Sequence, residues 1–190
     1  MKFAQKINSQ NEDREYHVTS DLHFFHKNII KHCPDTRLFE SVDEMNVELV
    51  NHWNSTIGVN DVVFHVGDFS FGNEEHTQAL LAQLNGTIIF IYGNHDKILR
   101  KISKVPSTNQ FFDYLEIMFN GTKVCMGHYP MHVWNQSGRG SVMLYGHTHG
   151  SFEAPGRTMD IGYDANGRIL KLQKAVDMCE QREIYTPDHH

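Results

Sequence analysis

The chain has 190 residues, with 17 Lys+Arg against 23 Asp+Glu and a formal net charge of −6. Its length suits one domain spanning residues 1–190, and a hydrophobic content of 39% with 11% aromatics argues against a disordered chain. The acidic balance argues against a broad electrostatic footprint for long nucleic acid or an anionic membrane, leaving room only for a local basic pocket.

The 14 histidines are a surplus. Of these, His189 and His190 form the one adjacent pair and read as a tag remnant. Cys33, Cys125 and Cys179 are widely spaced and odd in number, which argues against a disulfide framework and for a reducing, cytoplasmic setting. The first residues, Met1 to Lys6, turn polar at once and lack the apolar core of a signal peptide. No run approaches the roughly 18 apolar residues of a membrane helix.

In chain order, Tyr16 to Thr19 reads as a short strand. Val42 to Trp53 follows Ser41 and places Val42, Met45, Leu49 and Trp53 on one helical face, with Asp43 and Glu44 in the first turn. Asp61 to Val66 reads as a buried strand, Glu74 to Leu84 as a helix, Thr87 to Tyr92 as a second apolar strand and Lys97 to Lys104 as a short helix. From Phe111 the pattern turns strand-rich: Phe111 to Phe119, Lys123 to Met126, Val142 to Tyr145, Met159 to Ile161 and Ile169 to Leu172. Asn120-Gly121 and Asn166-Gly167 give turn signals between some of them. Gln173 to Glu183 suits a final helix. The whole implies an α/β sandwich with helices covering two sheets.

Polar groups collect where the apolar strands end. Asp21 and His23 follow the first strand, Gly67-Asp68 the second and Gly93-Asn94-His95-Asp96 the third. Gly127-His128 and Gly146-His147-Thr148-His149 follow two later strands. Strand carboxyl ends line the ligand crevice of open α/β sheets. Glycine there permits a sharp turn and a close approach of backbone to ligand. Residues two apart in extended chain point the same way. Asp21 and His23 can therefore aim at one point, and His147 and His149 at one point or, if the chain turns, at two adjacent ones.

Imidazole and carboxylate at such spacing suit a divalent transition metal. Asp21, His23, Asp68, Asn94, His128, His147 and His149 are too many for one tetrahedral site but suit two ions sharing a carboxylate. Two divalent ions, two aspartates and a bridging hydroxide leave about +1 by formal count, a charge that attracts a phosphate oxyanion. A single histidine is more often structural than ligating, and His17, His32, His52 and His76 keep that reading. His65, inside an apolar strand, reads as buried and hydrogen-bonded. It is the joint placement at five strand exits that points to metal.

In this order, Asp21-Leu22-His23, Gly67-Asp68, Gly93-Asn94-His95-Asp96, Gly127-His128 and Gly146-His147-Thr148-His149 resemble the calcineurin-like metallophosphoesterase family. The resemblance implies a four-layer α-β-β-α fold and a dimetal phosphoester hydrolase. Carried over by motif, Asp21, His23 and His149 would hold one ion and Asn94, His128 and His147 the other, with Asp68 bridging. His95 would contact the phosphate and protonate the leaving oxygen as the metal-bridging hydroxide attacks. Asp96 would join it in the catalytic set by orienting a neighbouring group. The ions would be manganese, iron, nickel or zinc, with manganese favoured.

Two departures from the family pattern stand out. Phe69-Ser70-Phe71 follows Asp68, where many members have a further carboxylate. Phe24-Phe25-His26 follows His23, where many have glycine. His26 is then either the start of a helix from Lys27 to Lys31, or a histidine of the substrate pocket or one that supports a metal ligand from behind. The continuation into His26-Lys27-Asn28-Ile29 resembles a compact bacterial or phage-type subgroup.

Trp134 or Tyr129 could stack on a base and Arg139 or Arg37 could meet a phosphate. Core packing competes for Trp134, and solvent exposure for the two arginines. The expected substrate is a small phosphodiester or phosphomonoester, nucleotides included. The alternatives are a metal-dependent nuclease and a non-catalytic scaffold. A scaffold would be expected to lose a ligand or His95, and none is missing.

Overall fold

The computed structural model describes residues 6–104 and 109–187, so the terminal His189-His190 pair lies outside the described residues. Two five-stranded sheets face each other. In the first, β2 (Tyr16–Thr19), β3 (Val62–Val66), β4 (Thr87–Ile91) and β5 (Gln110–Phe112) run parallel, and β10 (Leu170–Lys171) pairs antiparallel with β2. The second has the order β1 (Lys6–Ile7), β6 (Leu115–Phe119), β7 (Thr122–Met126), β8 (Val142–Tyr145) and β9 (Thr158–Asp160). There only the β6–β7 pair is antiparallel. The helices are α1 (Ile29–His32), α2 (Val42–Thr56), α3 (Glu74–Leu81), α4 (Lys97–Ile102), α5 (Tyr163–Asn166) and α6 (Leu172–Glu180).

Every residue of β3 is buried because both faces of its sheet are covered. Val62, Phe64 and Val66 join the core between the sheets, with Leu115, Ile117, Val124, Met126, Val142 and Leu144 opposite. Val63 and the flanking Ile88 and Phe90 of β4 face Met45, Leu49 and Trp53 of α2, Leu80 of α3 and Leu99 of α4. α6 inserts Leu172, Ala175, Val176 and Cys179 into the intersheet core at helical spacing. The outer face of the second sheet is covered by loops. Cys125, Met143 and Tyr145 alternate outward there and pack under Trp134 and Ala154. This is the mixed α/β class expected from the sequence.

Asn120 (φ 48°) and Gly121 (φ 91°) form the two-residue turn of the β6–β7 hairpin. Asn166-Gly167 does something else: Gly167, at φ 64°, ends α5 as a left-handed cap. The run from Phe111 to Phe119 is not one strand. Its first part pairs with β4 in one sheet, and after Asp113-Tyr114 the chain continues in the other sheet as β6. Both halves bury apolar side chains, so periodicity could not register the crossing. His65 is fully buried, but neither ring nitrogen has a hydrogen-bond partner. Burial holds it neutral, pushed down to about 3, with its ring edge-on to Phe69. No helix among the described residues is long and apolar enough to cross a membrane. Cys33, Cys125 and Cys179 are free thiols.

α2 starts where Ser41 accepts the Glu44 N–H (3.1 Å), satisfying one of the helix's unpaired first-turn donors. Ser41→Ala should lower stability by about 1 kcal/mol in urea unfolding. An unchanged midpoint would show that this cap contributes nothing.

Candidate metal centre

Parallel strands deliver their carboxyl ends to one edge. β2, β3 and β4 bring Asp21, His23, Asp68, Asn94 and His95 there from the first sheet; β7 and β8 bring His128, His147 and His149 from the second. The two edges are tied together directly. The His147 N–H donates to Asp21 Oδ2 (2.9 Å) and the His128 Nδ1–H to the Val66 carbonyl (2.9 Å).

The ligand atoms fall into two clusters. Asp21, His23 and His149 form one, Asp68, His128 and His147 the other. In the first, His23 Nε2 lies 3.7 Å from Asp21 Oδ1 and His149 Nε2 lies 4.0 Å from the same oxygen. In the second, His128 Nε2 lies 3.5 Å from Asp68 Oδ2 and 3.0 Å from Asn94 Oδ1. Asp68 Oδ2 is also 3.7 Å from His23 Nε2 and so stands between the clusters. Donors sharing an ion at about 2.1 Å are separated by about 3–4 Å.

The donor set fits metal on a second count. Asp21 Oδ1 and His23 Nε2 are buried without a hydrogen-bond partner. Such orphans are costly unless something fills the space between them. Each carboxylate instead commits its other oxygen to protein: Asp21 Oδ2 to the His147 N–H and Asp68 Oδ1 to the His95 N–H (2.9 Å).

The tautomers are fixed by the outer partners. The Val66 carbonyl can only accept, so His128 carries its proton on Nδ1 and turns Nε2 inward. His149 Nδ1 meets Asp164 Oδ2 at 2.7 Å, with the same result. His23 Nδ1 meets His26 Nδ1 at 3.3 Å.

The backbone is bent to do this. Asp21, His23, Asp68, His147 and His149 all have φ between 49° and 70°. The extended spacing expected from the sequence is therefore absent. The turning chain sends His147 and His149 to different clusters. Gly67 has φ 96°, and a Cβ there would overlap the His128 ring. At Gly93 the constraint is space alone, since a Cβ would overlap the Asp68 carboxylate.

Electrostatics follow from packing. Burial raises the Asp68 carboxyl, but the His128 hydrogen bond and charge outweigh it and hold the group down to about 2. Burial opposes charge on His128 too, yet Asp68 and Asp21 push it up to about 9. Asp21 is likewise held below the ordinary carboxylate range, with burial offset by His23 and His128.

A cavity of about 750 Å³ opens on this centre, with His23, Asp68, His147, His149, His95, His26 and Phe71 on its wall. His26 precedes α1 without belonging to it and contributes its side chain to this wall. Burial and the neighbouring His23, His95 and His32 push His26 down to about 4. His32, read as structural, also lines the cavity. Asp96 does not. It is buried and accepts the N–H groups of Asp68 (2.8 Å), Phe69 (2.9 Å) and Gly93 (2.7 Å), so it joins two ligand loops as a positioning residue.

Three residues considered for substrate contact lie elsewhere. Arg37 is 1% exposed, pairs with Asp164 through Nε (2.7 Å) and Nη2 (3.0 Å), and donates to the Asp21 and Leu22 carbonyls. With every donor face engaged, it shapes the ligand loop and cannot reach a phosphate. Trp134, 6% exposed, fills the outer face of the second sheet. Arg139 lines a separate hollow with Val133 and Gln136. Tyr129 does reach the centre, its ring edge-on to His147 at 4.6 Å.

Asp164 carries much of the outer support and was missed. It lies in α5, outside the strand-exit motifs, so no sequence signal drew attention to it. Asp160, also unflagged, accepts from Thr148 Oγ1 (2.6 Å) and the Gly150 N–H (2.8 Å) and pins the His147–His149 turn. Cys33 Sγ lies 3.8 Å from His149 Nδ1, and the thiol is pushed up to about 11, first by burial and then by Asp164. Cys33, His149 and Asp164 form a third group of possible ligand atoms, but Arg37 already neutralises Asp164, so it offers an ion little charge.

The two-sheet α/β fold is that of the calcineurin-like metallophosphoesterases. Residues 15–158 match the calcineurin-like phosphoesterase superfamily domain, and the chain belongs to that superfamily. An uncharacterized protein of Methanocaldococcus jannaschii is 36% identical over 138 residues, covering 72% of this chain and 70% of the relative. The Gene 66 protein of Mycobacterium phage L5 is 26% identical over 204 residues, covering 88% of this chain and 97% of that protein. A crystal structure of a protein of unknown function from Aquifex aeolicus shares the fold, with a TM-score of 0.68, 19% identity and coverage of 87% and 100% of the two chains.

Two predictions follow from the geometry. Ligation needs neutral imidazole, and in the free protein His128 holds its proton up to about 9. Manganese binding should therefore expel at least one proton, and affinity should rise roughly tenfold per pH unit per proton from about pH 7 to 9. Titration calorimetry in buffers of different ionisation enthalpy would read the proton count, and zero release would show that His128 is already neutral in the free protein and refute the prediction. Asp164→Asn should destabilise the fold by about 3–5 kcal/mol, because it leaves Arg37 buried and uncompensated. Denaturant unfolding with an unchanged midpoint would refute this.

Proposed function

We propose that the chain is a single-domain, dimetal-dependent hydrolase of a small phosphodiester or phosphomonoester, nucleotides included, with manganese the favoured ion. The observation that carries this reading is Asp68 Oδ2, 3.7 Å from His23 Nε2 and 3.5 Å from His128 Nε2. One carboxylate oxygen between two imidazole clusters suits a bridge. Asp21, His23 and His149 would hold one ion, Asn94, His128 and His147 the other.

Bound ions supply Lewis acidity and a water-derived nucleophile near neutral pH. The remaining chemistry falls to the chain. His95 stands on the cavity wall with its main chain fixed by Asp68, and its imidazolium would donate a proton to the departing oxygen. Asp96 keeps the Asp68 and Asn94 loops in register and touches no substrate. Tyr129, beside His147, supplies an aromatic face for a ring-bearing substituent.

With manganese, purified protein should hydrolyse bis-p-nitrophenyl phosphate or p-nitrophenyl phosphate and lose that activity to a chelator. His95→Ala should slow turnover by roughly two to four decades while elemental analysis still finds the bound metal. Cyclic nucleotides and single-stranded DNA complete the panel, and DNA as the one accepted substrate would favour the nuclease alternative. Inertness toward every member would favour a scaffold.

A further inference from the structure

We propose that His26 and Phe71 act as one positioning unit, in which Phe71 clamps the His26 ring so that its Nδ1 accepts the outer N–H of His23, while the same phenyl ring braces His95. The inference rests on the dimetal reading and assigns to it two residues outside the metal-binding motifs.

The outer partners of the histidines motivate it. His128 is oriented by a main-chain carbonyl and His149 by a carboxylate. His23 turns Nε2 toward Asp21 and Asp68, which leaves Nδ1 to carry the proton. The group that meets that nitrogen is another imidazole, His26 Nδ1 at 3.3 Å. For His26 to accept there, its own proton must sit on Nε2. A flexible imidazole is a poor orienting group compared with a carbonyl or a carboxylate, and it needs a support.

Phe71 provides one. Its ring lies flat on His26, with centroids 3.9 Å apart and planes within 8°. It also meets His95 at 4.7 Å and His23 at 5.3 Å. One phenyl ring thus touches the ligand, the ligand's acceptor and the proton donor.

The backbone holds the arrangement in place. The Phe24 N–H donates to the Phe69 carbonyl (2.9 Å) and the Phe71 N–H to the Phe24 carbonyl (2.8 Å). Phe25 then turns left-handed at φ 64°, with its N–H on Asn46 Oδ1 of α2 (2.9 Å). That turn brings His26 back over Phe71.

The test uses the full chain, stripped of metal and titrated with manganese alone by calorimetry and electron paramagnetic resonance. The variants are His26→Phe, His26→Asn and Phe71→Leu, each checked by thermal melting. His26→Phe keeps a stacking ring but removes the acceptor, and should weaken one of two binding steps by roughly 10–100-fold. His26→Asn offers an amide oxygen near the lost nitrogen and should recover most of that affinity. Phe71→Leu should weaken the same step and, in turnover, slow phenyl leaving groups more than p-nitrophenyl ones, since only the poorer leaving group needs a well-placed proton donor. His26→Phe binding as tightly as the wild type would overturn the inference, as would His26→Asn binding as weakly as His26→Phe. Wild type taking up fewer than two ions would overturn the dimetal reading and this inference with it.

Discussion

Two carboxylates, Asp21 and Asp68, are carried into the seam where two sheet edges meet, and the rest of the structure is arranged around that burial. Both are nearly inaccessible to water, and an unpaired buried carboxylate is expensive. Each divides its work. One oxygen accepts a main-chain N–H from a neighbouring ligand loop, His147 for Asp21 and His95 for Asp68. The other oxygen is left for the centre. The charge that would attract an ion therefore also fastens the loops that carry the other ligands.

The same economy explains the backbone. Five ligand residues sit in the left-handed region, where a residue other than glycine costs about 1–3 kcal/mol. Such a run persists only if the surroundings over-determine it. Arg37 holds the Asp21 and Leu22 carbonyls, Asp96 holds three N–H groups across two loops, and Asp160 holds the 147–151 turn. Each of these is a buried or half-buried charged group that hydrogen-bonds the backbone of the ligand loops. Their common task is to maintain turns that the local sequence would not choose.

Much of this was legible beforehand, for identifiable reasons. β3, β4, β7 and β8 announced themselves as apolar runs ending in glycine and polar residues, β2 as a short run leading into Ser20-Asp21 without glycine, and α2 through its apolar face and Ser41 cap. The donors gather into two clusters, Asp21, His23 and His149 in one and Asp68, His128 and His147 in the other, whereas motif resemblance gives Asp68 to both ions as a bridge. Other features were invisible because they depend on long-range partners. The crossing at Asp113-Tyr114 leaves the alternation of apolar residues unbroken. Asn166-Gly167 carries the same letters as a hairpin turn but ends a helix. Arg37 and Trp134 have residue types suited to ligand contact, and their fates were set by which side chains lay across from them.

Composition and order by themselves determined the class of protein, because parallel strands must deliver their carboxyl ends to one edge and chemistry-bearing residues stood at those ends. They also determined which residues could ligate, since imidazole, carboxylate and amide oxygens are the available donors. Only the tertiary structure decided how those donors are oriented. Asp164, Val66 and His26 fix three imidazole tautomers from positions remote from or outside the strand-exit motifs. A tautomer depends on which acceptor the fold places against a ring nitrogen, and no local pattern in the chain encodes that distance.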